Sequence, residues 1–200
     1  MPRLLELGAV SFLALAVAGP AAAQRIEVTP FAGYQLGGEL VEIGTGESRR
    51  DLEPGPTWGI LVDLDLGSEL DVELVYSSLA SELDRGLQGA VDVDVETLQI
   101  GAIRTLTRGA PVTPYVGVTV GATRIEVAGD SDTRISGALS VGARMLVSDH
   151  LGFRLDGRVV GTSAGSGEIG CVDSVCIGYP DTTIIWQYAL SAGIILHFGL

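Results

Sequence analysis

The residues able to do chemistry in this chain are few, and their spacing says more than their number. The histidines are His150 and His197, and the cysteines are Cys171 and Cys176. Charged side chains recur at every second position in short runs: Asp63 with Asp65, Asp71 with Glu73, and Arg154 with Asp156 and Arg158. Arg144 stands shortly before the last run. A catalytic nucleophile needs a base within hydrogen-bond reach and a third group to orient that base. Neither histidine has a serine and a carboxylate at such reach on its own face, so no enzyme activity is expected. The two histidines and one cysteine pair lack the ligand spacing of a metal site. Gly165-Ser166-Gly167 precedes no helix and makes no phosphate cradle, so no cofactor is expected either. In an exported protein, two cysteines this close in one loop read as a local disulfide, Cys171 to Cys176.

Period two is the repeat of a β-strand, and each charged run interleaves with apolar residues. Val62, Leu64 and Leu66 flank the first acids, Leu70, Val72 and Leu74 the second pair, and Phe153, Leu155 and Val159 the arginines. Such strands have one apolar and one charged or small face. The longest is residues 183–200, where Ile184, Trp186, Tyr188, Leu190, Ala192, Ile194, Leu196, Phe198 and Leu200 share a face. The opposite face is small or polar except for Ile185 and Ile195. Soluble strands run about 5–6 residues. One this long, with aromatics near both ends of its apolar face, suits a barrel whose outside meets lipid.

The same pattern predicts strands over 25–36, 57–66, 70–77, 97–106, 113–123, 137–147 and 151–160. Short turns at 67–69, 107–113 and 148–150 alternate with longer loops at 37–56, 78–91, 124–135 and 161–182. Pro30, without an N–H, marks a bulge or the effective start of the first strand. The run 91–95 has opposite parity to the rest of its strand, which predicts an arm above the membrane with a bulge near Glu96. Arg104 has outward parity close to a turn, where it can snorkel to the interface. The fold expected is all-β: an eight-stranded antiparallel up-and-down transmembrane β-barrel spanning residues 24–200, and a monomer is expected. Tyr34, Trp58, Tyr76, Trp186 and Tyr188 fall near the loop ends with outward parity, as an interfacial girdle, and Phe153 and Phe198 near the turn ends. Residues 37–56, 78–94, 124–136 and 161–182 carry ten of the thirteen net negative charges. A soluble lipocalin-like ligand-binding barrel would reverse the faces, leaving glycines and paired charges as its surface.

Composition fits a membrane barrel. The chain is 46% hydrophobic, with 28 glycines and a net charge of −13. It contains no lysine, and the acidic balance excludes nucleic acid, which calls for a basic stripe. Residues 1–23 combine Arg3, the apolar run 12–18 and Ala21-Ala22-Ala23, an export signal cut before Gln24. No later stretch reaches the length of a transmembrane helix.

The PYVGVTVG run at 114–121, the RMLVSDHLGFRLDGRVV hairpin at 144–160 and the C-terminal strand together resemble the small eight-stranded outer-membrane barrels. This is the class of the OmpA-type transmembrane domain and of OmpX, and the resemblance covers residues 25–200. It implies a bacterial outer-membrane location and contact with outer-membrane lipids, lipopolysaccharide and the assembly machinery. Members usually end on an aromatic residue, whereas here Gly199-Leu200 follows Phe198. No peptidoglycan-binding domain is expected after the last strand.

In an eight-stranded barrel the lumen is only wide enough for side chains to fill. Asp63, Asp65, Asp71 and Glu73 are therefore expected to face Arg144, Arg154, Asp156 and Arg158 across it, as a salt-bridge plug. The function this implies is surface interaction or membrane integrity, through acidic loops. The alternative is a narrow small-solute channel, in which the same charges line a path.

Overall fold

Alternation of apolar and small or charged residues makes every long segment of this chain a two-faced strand, and eight of them close on one another. The computed structural model describes residues 25–43, 48–67, 69–84, 90–107, 110–127, 129–164, 168–172, 175–179 and 184–199. The expected export signal, the Gly165-Ser166-Gly167 run and Leu200 lie outside the described residues. The barrel strands are β1 (Arg25–Gly37), β4 (Gly55–Asp65), β5 (Leu70–Asp84), β6 (Ala90–Thr105), β7 (Val112–Val127), β8 (Asp130–Leu146), β9 (Leu151–Ser163) and β12 (Ile184–Gly199). Their order is β1-β12-β9-β8-β7-β6-β5-β4, closed, with antiparallel neighbours throughout.

The apolar parity faces outward. Leu98, Val118, Leu139, Leu155 and Leu190 are all more than half exposed, an arrangement stable only if lipid covers them. The aromatic girdle stands on the same outer surface, with Tyr34, Trp58, Trp186 and Tyr188 exposed toward the loop end and Phe153 and Phe198 toward the turn end. Trp58 and Tyr76 meet edge to face, their ring centroids 6.0 Å apart. Tyr34 Oη donates to the Pro54 carbonyl at 2.9 Å.

Three expectations need correcting, two of them at the loop end. First, β5 and β6 continue far past the predicted strand limits, and their register runs without a slip from Leu70↔Arg104 to Asp84↔Ala90. No bulge occurs near Glu96. Val93 and Val95 point inward and are buried, at 0% and 2% exposure, because the wall has left the bilayer there. Outside meets water, so Asp92, Asp94, Glu96 and Arg124 occupy the outer face, and apolar residues turn to the inside. Second, the loop predicted over 124–135 is strand: β7 ends at Val127 and β8 begins at Asp130, with Gly129 supplying the positive φ of 91° that the turn requires. Third, Pro30 lies within β1. Pairing with β12 skips from Val28↔Leu196 to Phe31↔Gly193 without changing register, while Pro30 stays aligned with Ile60 on β4. The missing N–H thus interrupts one ladder and shifts neither.

The first and fourth loops are also more ordered than a loop reading implies. They contribute β2 (Glu39–Ile43) and β3 (Ser48–Asp51), and β10 (Glu168–Val172) and β11 (Val175–Gly178). These form a separate sheet in the order β10-β11-β2-β3, joined between loops by β11 and β2. Leu40, Leu52, Ile169, Ile177 and Tyr179 from this region pack with Leu79, Val93, Val95, Ile125, Val127 and Ile185 of the barrel arms. The result is an apolar cap over the loop-end mouth. Arg134 of β8 lies 4.7 Å over the Tyr179 ring and holds Asp132 at 2.7 Å, tying cap to wall. Burial pushes the Tyr179 phenol up to about 12, so it stays neutral at physiological pH.

Cys171 and Cys176 are directly opposed across β10 and β11 and are disulfide-bonded. Closing so small a ring is worth roughly 2 kcal/mol in the chain-entropy model, and that stabilisation is local to the cap hairpin. Cys171→Ser should leave the barrel's denaturant midpoint unchanged while accelerating proteolysis within residues 168–178. Two free thiols in protein purified without reductant would contradict the assignment.

Candidate functional site

The inward charges are arranged in like-charged rows on opposite walls. Glu27 on β1 is the cross-strand partner of Asp63 on β4, and Asp63 is the partner of Glu73 on β5. One row toward the turns, Asp65 opposes Asp71. On the far wall Arg144 of β8 opposes Arg154 of β9. Like charges directly opposite in a sheet repel, so neither wall is favourable alone. The attraction comes from across the lumen.

Arg154 is the centre of that attraction, with its side chain 1% exposed. Nη1 donates to Asp63 Oδ2 at 2.7 Å, Nη2 donates to Glu73 Oε2 and lies 3.3 Å from Asp156 Oδ2, and Nε donates to Tyr115 Oη at 2.7 Å. The guanidinium also sits 4.5 Å from the Tyr115 ring centroid. Tyr115 Oη in turn donates to Asp156 Oδ2. One arginine therefore joins β4, β5, β7 and its own β9. A planar fork of five donors permits this, where a lysine ammonium would not.

The other two arginines extend the network up and down. Arg158 holds Glu73 at 2.9 Å and Asp156 at 3.3 Å. Arg144 holds Asp71 at 2.9 Å, Asp63 at 3.2 Å and Glu27 at 3.5 Å. Above them lies a neutral layer: Thr119 Oγ1 donates to Gln99 Oε1 at 2.8 Å, and Gln99 Nε2 donates to Ser136 Oγ at 2.9 Å. Tyr115 has room because its cross-strand partner is Gly142; a Cβ there would collide with the phenol.

Of the eight charges singled out from the sequence, seven meet in this network. Asp65 does not. Its Oδ1 accepts from the Gly67 amide at 2.7 Å, and it joins no ion pair among the described residues. At a strand end, the turn's unpaired N–H competes successfully for the carboxylate. Parity alone missed Glu27 and Tyr115 as members, although both have inward parity. It also missed that His197, the cross-strand partner of Glu27, places Nε2 3.6 Å from Glu27 Oε1. His150 is exposed in the β8–β9 turn. Arg104 is exposed as expected and lies 3.3 Å from Glu69.

Chemically, the network is suited to cohesion and charge neutralisation. No group of three or more His, Cys, Asp or Glu with metal-holding geometry occurs among the described residues. Arg154→Ala should destabilise the folded barrel by about 3–5 kcal/mol, because buried acids lose their partner. Glu73→Ala combined with Arg154→Ala should cost clearly less than the two singles summed. Urea unfolding of the four proteins, read by unheated gel mobility, checks this; strict additivity would show that the pair is uncoupled.

A model of the outer membrane protein beta-barrel domain matches residues 9–198. No curated protein matches the sequence. Among solved structures, the chain is similar to Neisserial surface protein A, with a TM-score of 0.57 at 18% identity, covering 86% of this chain and 97% of that one. It is similar to the outer membrane protein OprG from Pseudomonas aeruginosa, with a TM-score of 0.59 at 15% identity and 88% and 97% coverage. It is also similar to the outer membrane protein AlkL, with a TM-score of 0.56 at 18% identity and 92% and 93% coverage. At these identities the likeness concerns the fold.

Proposed function

The chain belongs to the outer membrane protein β-barrel family, and from that premise we propose a non-enzymatic surface protein with a closed lumen. Its location is the bacterial outer membrane. Residues 1–23 act as the export signal that delivers it there. The turns face the periplasm and the arms and cap face the outside, the usual orientation of such barrels. The protein works as a monomer among outer-membrane lipids and lipopolysaccharide, after insertion by the assembly machinery. Its acidic outer surface serves surface interaction or membrane integrity.

The observation that carries the closed-lumen reading is Arg154, 1% exposed and bonded to carboxylates of two strands on the opposite wall. The apolar cap above adds a second obstruction in series. A solute would have to break both.

Two measurements test this reading. Wild type refolded in a planar bilayer should conduct almost nothing. Glu73→Ala with Arg154→Ala should change that little while the cap remains, and replacing residues 168–178 by a short Gly/Ser linker should also do little alone. Only the combination should conduct clearly. Steady conductance by wild type would make the lumen a small-solute channel instead. For orientation, in a background without Cys171 and Cys176, Ser131→Cys should react with an impermeant maleimide on intact cells and Ser148→Cys should not. The reverse labelling would overturn the orientation.

A further inference from the structure

Two prolines leave a strand edge open on the barrel arms. β4 pairs with β5 as far as Thr57↔Leu79, whereas β5 runs on to Asp84 and there pairs with β6. In an antiparallel ladder, alternate residues turn N–H and C=O to the same side. The Ser78 carbonyl accepts from Thr57 Oγ1 at 3.0 Å, so the even-numbered residues of β5 face β4. Continuing the register sets Pro56 beside Ala80 and Pro54 beside Glu82. Neither proline has an N–H to give, and β4 cannot extend the ladder. The backbone groups of Glu82 and Asp84 therefore point away from β6 without a barrel strand to meet them. β3, an edge of the cap sheet, passes nearby and does not pair with β5.

The open edge borders a groove of about 360 Å³, whose lining includes both prolines, Glu53, Ala80, Asp92 and Asp94. Ala80, Asp92 and Asp94 are exposed on the outer face, with Asp94 the cross-strand partner of Ala80 and Asp92 that of Glu82. Glu53 stands exposed beside Pro54, and no arginine lines the groove among the described residues. We propose that this edge takes up an extended segment of another protein as a further β-strand, one carrying arginine or lysine at alternate positions. Its backbone supplies the N–H groups that the prolines withhold, which is strand addition. A basic side chain lies across Ala80 between Glu53 and Asp94, a path that a methyl group leaves clear. The inference gives the surface-interaction reading a partner and rests on it. Binding to the barrel in micelles tests the edge, while maleimide labelling tests which side the arms face, so the two can fail separately.

The test titrates an end-blocked peptide of alternating valine and arginine into the folded wild-type barrel in zwitterionic micelles. Calorimetry and amide shifts of β5 and β6 should show saturable one-site binding. In the free protein the Glu82 and Asp84 amides should exchange with solvent quickly and those of Ser81 and Leu83 slowly; the peptide should slow the first pair. The same peptide N-methylated on its edge-facing amides keeps its charge but cannot pair, and should not bind. Glutamate in place of arginine should also abolish binding. Asp92→Asn with Asp94→Asn should weaken binding roughly fivefold, the scale of exposed charge pairs. Glu82→Pro removes an N–H that the β5–β6 ladder does not use and should weaken binding much more than Glu82→Ala. Should the proline variant not fold, the N-methylated peptide makes the same distinction on wild type. The proposal is overturned if the arginine peptide does not saturate, or if the N-methylated or glutamate peptide binds equally well. Glu82 and Asp84 amides already slow in the free protein would overturn it too, showing that β3 of the cap covers the edge.

Discussion

Attraction across the lumen between two self-repelling walls is the interaction on which the rest of this structure depends. Glu27, Asp63 and Glu73 run as one acidic row over β1, β4 and β5, and Arg144 and Arg154 sit side by side on β8 and β9. Each half of the sheet, built alone, would bring like charges together in a low-dielectric setting. Closure converts both rows into partners for one another, with Arg154 as the junction. The favourable pairing therefore exists only in the closed barrel, which couples strands far apart in sequence, such as β4 and β9, more directly than the ladders do. Tyr115 and Gly142 are the geometric conditions for it: the phenol orients the Arg154 fork from β7, and the glycine beside it leaves the phenol its space.

Above the belt the same wall obeys the opposite rule. Along β6, Leu98 and Ile100 face outward and Thr97 and Gln99 inward; a few residues higher, Asp94 and Glu96 face outward and Val93 and Val95 inward. The backbone register never changes. What changes is the solvent on the outside and, on the inside, the arrival of Leu40, Ile169, Ile177 and Tyr179 from the cap. The two halves of the lumen are consequently closed by different physics, a desolvated ion network below and apolar packing above.

This explains how much was legible in the sequence. Within the bilayer, lipid fixes which parity faces out, so the eight strands, the facing of Trp58 or Leu190, and the inward set from Asp63 to Arg158 could be read from alternation. Above it, the parity of hydrophobicity inverts, and Val93-Asp94-Val95 read at constant facing demanded a bulge that does not exist. The cap was illegible for a different reason. Its strands are short, and β2 and β11 come from opposite ends of the chain, so no local pattern announces their pairing. Within the site, parity located inward residues but could not say which of them meet. Asp65 is inward by count and is taken by the amide of Gly67. Tyr115 is inward by count, but a phenol among valines and glycines carries no charge that marks it as a member of an ion network.

The lumen charges also bear on register, more than on stability. A buried ion pair is a weak stabiliser once desolvation is set against it, and an apolar filling of similar shape could serve as well thermodynamically. A one-residue slip of any strand, however, exchanges its two faces. For β9 that slip would carry Arg154, Asp156 and Arg158 into lipid, where an arginine at midplane costs about 2–4 kcal/mol, and would strand Asp63 and Glu73 in the lumen without a cation. A wall of Leu and Ala on both faces would tolerate the slip. The charged network therefore penalises wrong registers from two sides at once, and the three arginines it needs are the three that the membrane would most strongly reject.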